Sequence, residues 1–168
     1  MSAAGNNVLV VASCAKGIGI TVFAGSELIY FAVKTLQSPR TTYHVGQQTS
    51  ETIKAIIQEF APGLIVVKSS AGQQAESKNR KAVAEHVKKE AEGAGIPLEE
   101  ISFQAVKEKI CGDSKPTKAN TFKALSFVYT ELRRFVNHPS LWQREYYDPL
   151  LSAAATGFYY QNKAARCN

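Results

Sequence analysis

The chain has 168 residues, an apolar content of 45% and a net charge of +6, from 20 Lys and Arg against 14 Asp and Glu. This length and composition predict a single globular domain over residues 1–168 with a real core. The positive charge favours a polyanionic partner, above all nucleic acid. No apolar run is long enough to span a bilayer, and the N-terminus lacks the pattern of a signal peptide. The three cysteines are odd in number and far apart, which argues against a disulfide framework and a zinc site and indicates the cytoplasm or another reducing compartment.

The chain opens with three predicted strands. Residues 8–13 form a continuous apolar run, typical of a strand buried on both faces. Residues 18–23 follow as a second strand, residues 24–27 form a tight turn, and residues 28–36 return as a third strand. The end of the first strand offers only Ala, Ser and Cys side chains.

A strand–helix–strand unit is predicted next. Ser50 is expected to cap a helix over residues 52–60, and Pro62 with the following glycine ends it. Residues 64–67 form a short apolar run that predicts a fully buried strand. Because a strand reached through a helical crossover pairs in parallel, residues 64–67 are expected to lie parallel to residues 8–12.

The second half of the chain is predicted to alternate between helices and one further strand, and the tail from Gln161 is expected to be loose. The helical segments are recognised by apolar side chains at spacings of three and four. The predicted elements are a helix over 76–91, a strand over 101–106, a turn-rich loop over 112–117, a helix with a core stripe of Phe122, Leu125, Val128, Tyr129 and Leu132, and a final helix over 146–160 that is rich in small residues.

Three segments resemble the RuvC-type Holliday-junction resolvases and their YqgF-type relatives in the ribonuclease H-like superfamily. Residues 8–22 are similar to the first hairpin, in which Gly19 follows the catalytic strand. Residues 102–125 resemble the last strand, glycine turn and following helix, and residues 148–155 resemble the final helix. The resemblance implies an α/β fold with a mixed five-stranded sheet, flanking helices and loosely ordered ends.

The acidic residues of this family are mostly missing here. The resemblance implies catalysis by clustered carboxylates that hold two divalent ions. The first-strand aspartate matches Ala12 or Ser13, and the acid after the central parallel strand matches Val67 or Lys68. Asp148 stays acidic, either as a residual catalytic residue or as the N-cap of the final helix beside a proline. One carboxylate holds two hard cations poorly.

Basic residues are the candidate nucleic-acid-binding residues. Lys115, Thr117, Lys118 and Lys123 lie around a predicted helix N-terminus, whose backbone amides suit a phosphate. Lys68 is expected to contact a phosphate in place of a metal. The alternative for Lys68 is a solvent-facing loop lysine, and the alternative for the other residues is an ordinary capped helix with solvated lysines. The aromatic side chains near the C-terminus favour core packing over base stacking.

Two functions stay open, with a third behind them. The first is a catalytically inactive nucleic-acid binder, a pseudo-nuclease that binds branched or structured DNA and needs no cofactor. The second is an endonuclease dependent on Mg²⁺ or Mn²⁺ whose relocated carboxylates combine Asp148 with some of Glu27, Glu76 and Asp113. The third is a structural subunit of a larger complex. A homodimer fits each of them, and a membrane partner fits none.

Overall fold

The computed structural model describes residues 5–14, 17–36, 42–69, 78–112, 116–137 and 140–165, and of residues 141–144, 164 and 165 it describes the backbone alone. In this part of the chain the strands are β1 (Gly5–Cys14), β2 (Gly17–Ala24), β3 (Glu27–Thr35), β4 (Pro62–Ser69) and β5 (Leu98–Ser102). The helices are α1 (Thr42–Phe60), α2 (Lys78–Ala94), α3 (Phe103–Cys111), α4 (Lys118–Val128), α5 (Arg133–Val136) and α6 (Leu141–Ala165), with a 3₁₀ turn at Thr130–Leu132.

The strands form one mixed five-stranded sheet in the order β3-β2-β1-β4-β5. The hairpin strands β1, β2 and β3 pair antiparallel, and Gly25 takes a φ of 58° in the turn between the last two. β1 pairs parallel with β4, from Val8 opposite Leu64 to Val11 opposite Val67, and β4 pairs parallel with β5. The predicted hairpins and the predicted parallel pair are therefore confirmed.

Helices cover both faces of the sheet because successive side chains of a buried strand point to opposite faces. The odd-numbered residues of β1, Leu9 and Val11, pack with α1 and α2, for example against Ile53. The even-numbered residues Val10 and Ala12 pack with α3, α4 and α6. No helix in the described residues has both the length and the apolarity that crossing a membrane requires.

Small residues bring α6 close to β2. A Cβ on Gly19 would overlap the backbone carbonyl of Pro149, and a Cβ on Gly157 would overlap the ring of Phe23. Ala154 in the same helix is fully buried. This close approach explains the small residues of the final helix, and it fixes Pro149 and its neighbours over the carboxyl end of β1.

The predicted strand over 101–106 was wrong. β5 ends at Ser102, and α3 begins at the next residue, Phe103. Phe103 and Val106 are three residues apart and both are buried, so they line one face of a helical turn. No loop separates β5 from α3, and the apolar and polar residues in so short a window also fit an alternating strand.

Other predicted boundaries also change. α1 begins ten residues before the predicted start, so Ser50 is an internal residue whose hydroxyl lies 2.9 Å from Nδ1 of His86 rather than a cap. α6 continues through Ala165, so the segment from Gln161 to that residue is helical. Val128 is 52% exposed and does not belong to the core stripe of α4.

Candidate nucleic-acid interface

Four side chains meet where β1 and β4 end, and we name them the strand-end cluster: Cys14, Lys68, Lys118 and Asp148. Cys14 is the last residue of β1, and Lys68 is the last but one of β4. Lys118 is the first residue of α4, and Asp148 lies within α6 beside Pro149. The cluster thus lies at the carboxyl ends of two parallel strands, where open α/β sheets place their ligands.

Asp148 is the centre of the cluster. The thiol of Cys14 donates a hydrogen bond to its Oδ2 atom at 2.9 Å, and the ammonium group of Lys118 donates to the same oxygen at 2.9 Å. The ammonium nitrogen of Lys68 lies 3.9 Å from the Cys14 sulfur and 4.9 Å from the centre of the Phe103 ring. Lys118 therefore pairs directly with the carboxylate, and Lys68 lies next to the thiol that donates to it.

Burial shifts the ionisation of two members of the cluster. It raises the pKa of the Cys14 thiol from 9.0 to about 11, although nearby Lys68 acts in the opposite direction. The thiol is therefore protonated at neutral pH and serves as a donor to Asp148 rather than as a nucleophile. Burial also lowers the pKa of Lys68, with the neighbouring Lys118 charge acting in the same direction.

These side chains do not fit a pair of divalent cations. Such a site needs several anionic oxygen ligands, whereas this position holds one carboxylate, one protonated thiol and two ammonium groups. Within the described residues, no group of three or more His, Cys, Asp or Glu side chains is arranged to hold a metal. The two ammonium groups are the donors that suit a phosphate group, because the single proton of the Cys14 thiol is already donated to Asp148.

A groove of about 420 Å³ extends the cluster along α4, α5 and α6. Lys118, Lys123 and Asp148 supply its charged side chains, and Phe135 and Asn137 also line it. The lysines are donors in a lining that is otherwise largely apolar, with Phe122, Val136 and Leu151 among its residues. This geometry suits the backbone of an extended polyanion.

The two residues that match the first-strand aspartate of the family, Ala12 and Ser13, lie on different faces of the sheet. Ala12 is fully buried on the face that α6 covers, and Ser13 lines a small cavity on the other face together with Val67 and Lys68. The β1 residue that contacts Asp148 is Cys14, which was not among the residues selected from the sequence. The sequence feature that could have identified Cys14 as a site residue is its position at the end of the first predicted strand.

The role of Asp148 as an N-cap was wrong, because α6 begins at Leu141 and Pro149 lies inside the helix. Thr117 does cap α4, and its hydroxyl accepts a hydrogen bond from the Asn120 amide at 3.2 Å. Lys115 lies outside the described residues.

One of the acids considered as a metal ligand together with Asp148, Glu27, lies far from it. Glu27 begins β3 and pairs with Ala24, which pairs with Asn7 near the start of β1. Cys14 lies seven residues further along β1, so Glu27 is about 23 Å from the cluster at 3.3 Å per residue. The structure therefore places Glu27 at the opposite end of the sheet from Asp148. The other candidates, Glu76 and Asp113, lie outside the described residues.

Similar folds occur among solved structures. The Thermus thermophilus RuvC structure has a TM-score of 0.70 at 16% identity, over 94% of this chain and 96% of that one. T. thermophilus RuvC in complex with Holliday junction substrate has a TM-score of 0.74 at 12% identity, over 95% and 96%. The yeast mitochondrial Holliday junction resolvase Ydc2 has a TM-score of 0.62 at 11% identity, over 98% and 82%.

No protein-family model matches the sequence, and no curated protein matches it either. The similarity to the solved structures is one of fold. The chain has an α/β fold of the ribonuclease H-like type. More closely, it has the fold of the RuvC-type Holliday junction resolvases, as the three resembling segments predicted.

Proposed function

We propose that this protein binds structured or branched nucleic acid on a RuvC-like scaffold without cleaving it. The observation that carries the proposal is the 2.9 Å bond between the Lys118 ammonium group and Asp148, with Lys68 on the other side of Cys14. Positive charge occupies the position where the resemblance implies a pair of divalent ions. The cluster therefore supplies phosphate-binding donors and lacks the ligands for metal-dependent hydrolysis.

The groove supports a partner with a charged backbone. Lys118 and Lys123 line it, Lys68 lies 3.9 Å from Cys14 in the adjoining cluster, and the whole chain carries a charge of +6. Since T. thermophilus RuvC is similar in fold and has been seen with a Holliday junction substrate, a four-way DNA junction is the first partner to test. DNA is preferred to RNA on this likeness alone.

Binding to a fluorescent four-way junction, measured by anisotropy at several salt concentrations, tests the proposal. The double variant Lys68→Ala with Lys118→Ala removes two phosphate contacts, so the slope of log K against log salt should become shallower by about 2. The matched control, Lys88→Ala with Lys89→Ala, removes two exposed lysines of α2 on the other face of the sheet.

The two double variants separate specific from diffuse attraction. A site at the strand-end cluster predicts that only the first variant loses most of its affinity. Equal and modest losses in both variants would show that the net charge alone attracts the DNA. A parent protein that binds no junction at low salt would contradict the proposal and favour a structural subunit.

The proposal also concerns the cellular compartment and the assembly state of the protein. The bond from Cys14 to Asp148 needs a reduced thiol. We therefore propose the cytoplasm or another reducing compartment as its location. A homodimer or a larger complex is compatible with binding to a branched partner, and the single domain over 1–168 is part of the same proposal.

A further inference from the structure

An exposed aromatic side chain lies beside the groove and is not explained by core packing. Phe127, near the end of α4, is 68% exposed, whereas most aromatic side chains of the described residues are at least partly buried. Lys123, which lines the groove, precedes Phe127 by one helical turn and is exposed on the same side of α4. The ring therefore continues the groove wall onto the outer surface.

Arginine side chains flank this ring and the groove. The guanidinium carbon of Arg133 lies 5.9 Å from the centre of the Phe127 ring, and the Arg133 Nε donates to the Ser126 carbonyl at 3.1 Å. The guanidinium carbon of Arg134 lies 4.6 Å from the centre of the ring of Phe135, which lines the groove. The hydrogen bond to the α4 backbone holds Arg133 next to the exposed ring.

The charge of this surface selects one kind of partner. From Lys123 to Arg134 the chain carries three cations and one acid, Glu131. An apolar partner without charges would leave these cations without counter-ions. An exposed aromatic ring next to a guanidinium group, in contrast, presents flat surfaces on which a nucleobase can stack. The lysines of the adjacent groove supply the phosphate contacts that bring such a base into reach.

We infer that Phe127 and Arg133 form a stacking platform for an unpaired nucleobase whose flanking phosphates lie in the groove at Lys118 and Lys123. This inference rests on the proposed function and adds the substrate class: strands with an extrahelical or unpaired base. Such bases are available at bulges, single-stranded tails and open branch points, whereas a fully paired duplex keeps its bases inside the stack.

Three DNA duplexes that share one sequence test the platform: one fully paired, one with a bulged adenine, and one with an abasic nucleotide at the bulge. The abasic form keeps the phosphates and the bend and removes the base. The parent should bind the bulged adenine more tightly than the abasic bulge by roughly 5- to 150-fold, the range expected for stacking of one base. Phe127→Ala should bind both bulges equally, and Phe127→Trp should retain the preference.

The control is Tyr43→Ala, which removes another exposed ring, 72% exposed, from α1 on the opposite face of the sheet. It should leave the base preference unchanged. A Phe127→Ala protein that keeps the full preference would overturn the platform while leaving phosphate binding at the cluster intact. Lys68→Ala with Lys118→Ala should weaken binding to all three duplexes alike.

Two further outcomes would also overturn the inference. If the parent sediments as a dimer and Phe127→Ala as a monomer with an unaltered base preference, the ring belongs to an interface between two copies. If the parent binds none of the three duplexes at low salt, the proposed function fails together with the platform.

Discussion

Replacing Asp148 by Asn separates nucleic-acid binding from metal catalysis. The carboxylate is the only anionic group of the strand-end cluster, and it occupies the Lys118 ammonium group at 2.9 Å. A phosphate that enters the cluster must approach this negative charge. The amide keeps a similar shape and still accepts the hydrogen bond from Cys14, so the variant changes the charge and preserves the packing.

The magnitude follows from the position of Asp148. Its side chain is 20% exposed, and it faces the open groove. Two like charges about 4 Å apart repel by about 1 kcal/mol in bulk water and by about 4 kcal/mol near a protein surface, so the bulk-water value is the lower limit for this site. Removal of that repulsion should tighten junction binding by at least about fivefold. A nuclease that used Asp148 as a metal ligand would instead lose metal-dependent activity on this change.

Anisotropy titrations of parent and Asp148→Asn at one low salt concentration provide the assay. Glu85→Gln, an exposed acid of α2, is the control for a unit change in net charge far from the groove. Tighter binding in Asp148→Asn alone supports the cluster as the phosphate site. Weaker binding in this variant, or tightening of equal size in the control, would refute the reasoning.

Three further predictions concern packing, titration and metal binding. Gly19→Ala should lower the free energy of unfolding by about 1–3 kcal/mol because its Cβ overlaps the α6 backbone. Gly93→Ala, with open space around it, should raise this free energy by up to about 1 kcal/mol. Equal effects of the two substitutions in urea unfolding would contradict the close packing of α6 on β2. Burial raises the pKa of Cys14 from 9.0 to about 11, so the native state holds this proton more tightly than the unfolded chain does. The stability that the thiol contributes is thus complete below pH 9.0 and is lost as the pH rises to about 11, and the difference in unfolding free energy between parent and Cys14→Ser should change across this window; a constant difference would argue against it. Cys14→Asp combined with Lys68→Glu and Lys118→Ala should bind Mn²⁺ in calorimetry because it gathers carboxylates at one strand end, and a folded variant that gives no heat of binding would show that the strand ends are not positioned for a metal.

The sheet could be predicted from the sequence because its signals are local. The apolar run of β1, the turn at Gly25 and the crossover through α1 each act within a few tens of residues. α3 escaped prediction because β5 runs into it at Ser102 without a loop, and the residues on either side of that boundary are similar in polarity. Local pattern therefore defined the sheet and left one boundary between a strand and a helix undetermined.

The candidate site was only partly predictable because it joins distant parts of the chain. Lys68, Lys118 and Asp148 were each singled out, and the structure brings them together. Cys14 was not, because its bond to Asp148 spans 134 positions and no local pattern marks it. The N-cap role of Asp148 failed for a different reason: a proline usually marks a helix start, yet Pro149 lies inside α6 and packs on Gly19.

The most direct test of the account is one gel experiment on an end-labelled four-way DNA junction incubated with the parent protein and Mg²⁺ or Mn²⁺. Native gels report binding, and denaturing gels of the same samples report strand cleavage. The account predicts a shifted junction whose strands stay intact in both metals. Cleavage products that disappear in Asp148→Asn would contradict it and establish a nuclease, and an unshifted junction would contradict nucleic-acid binding itself.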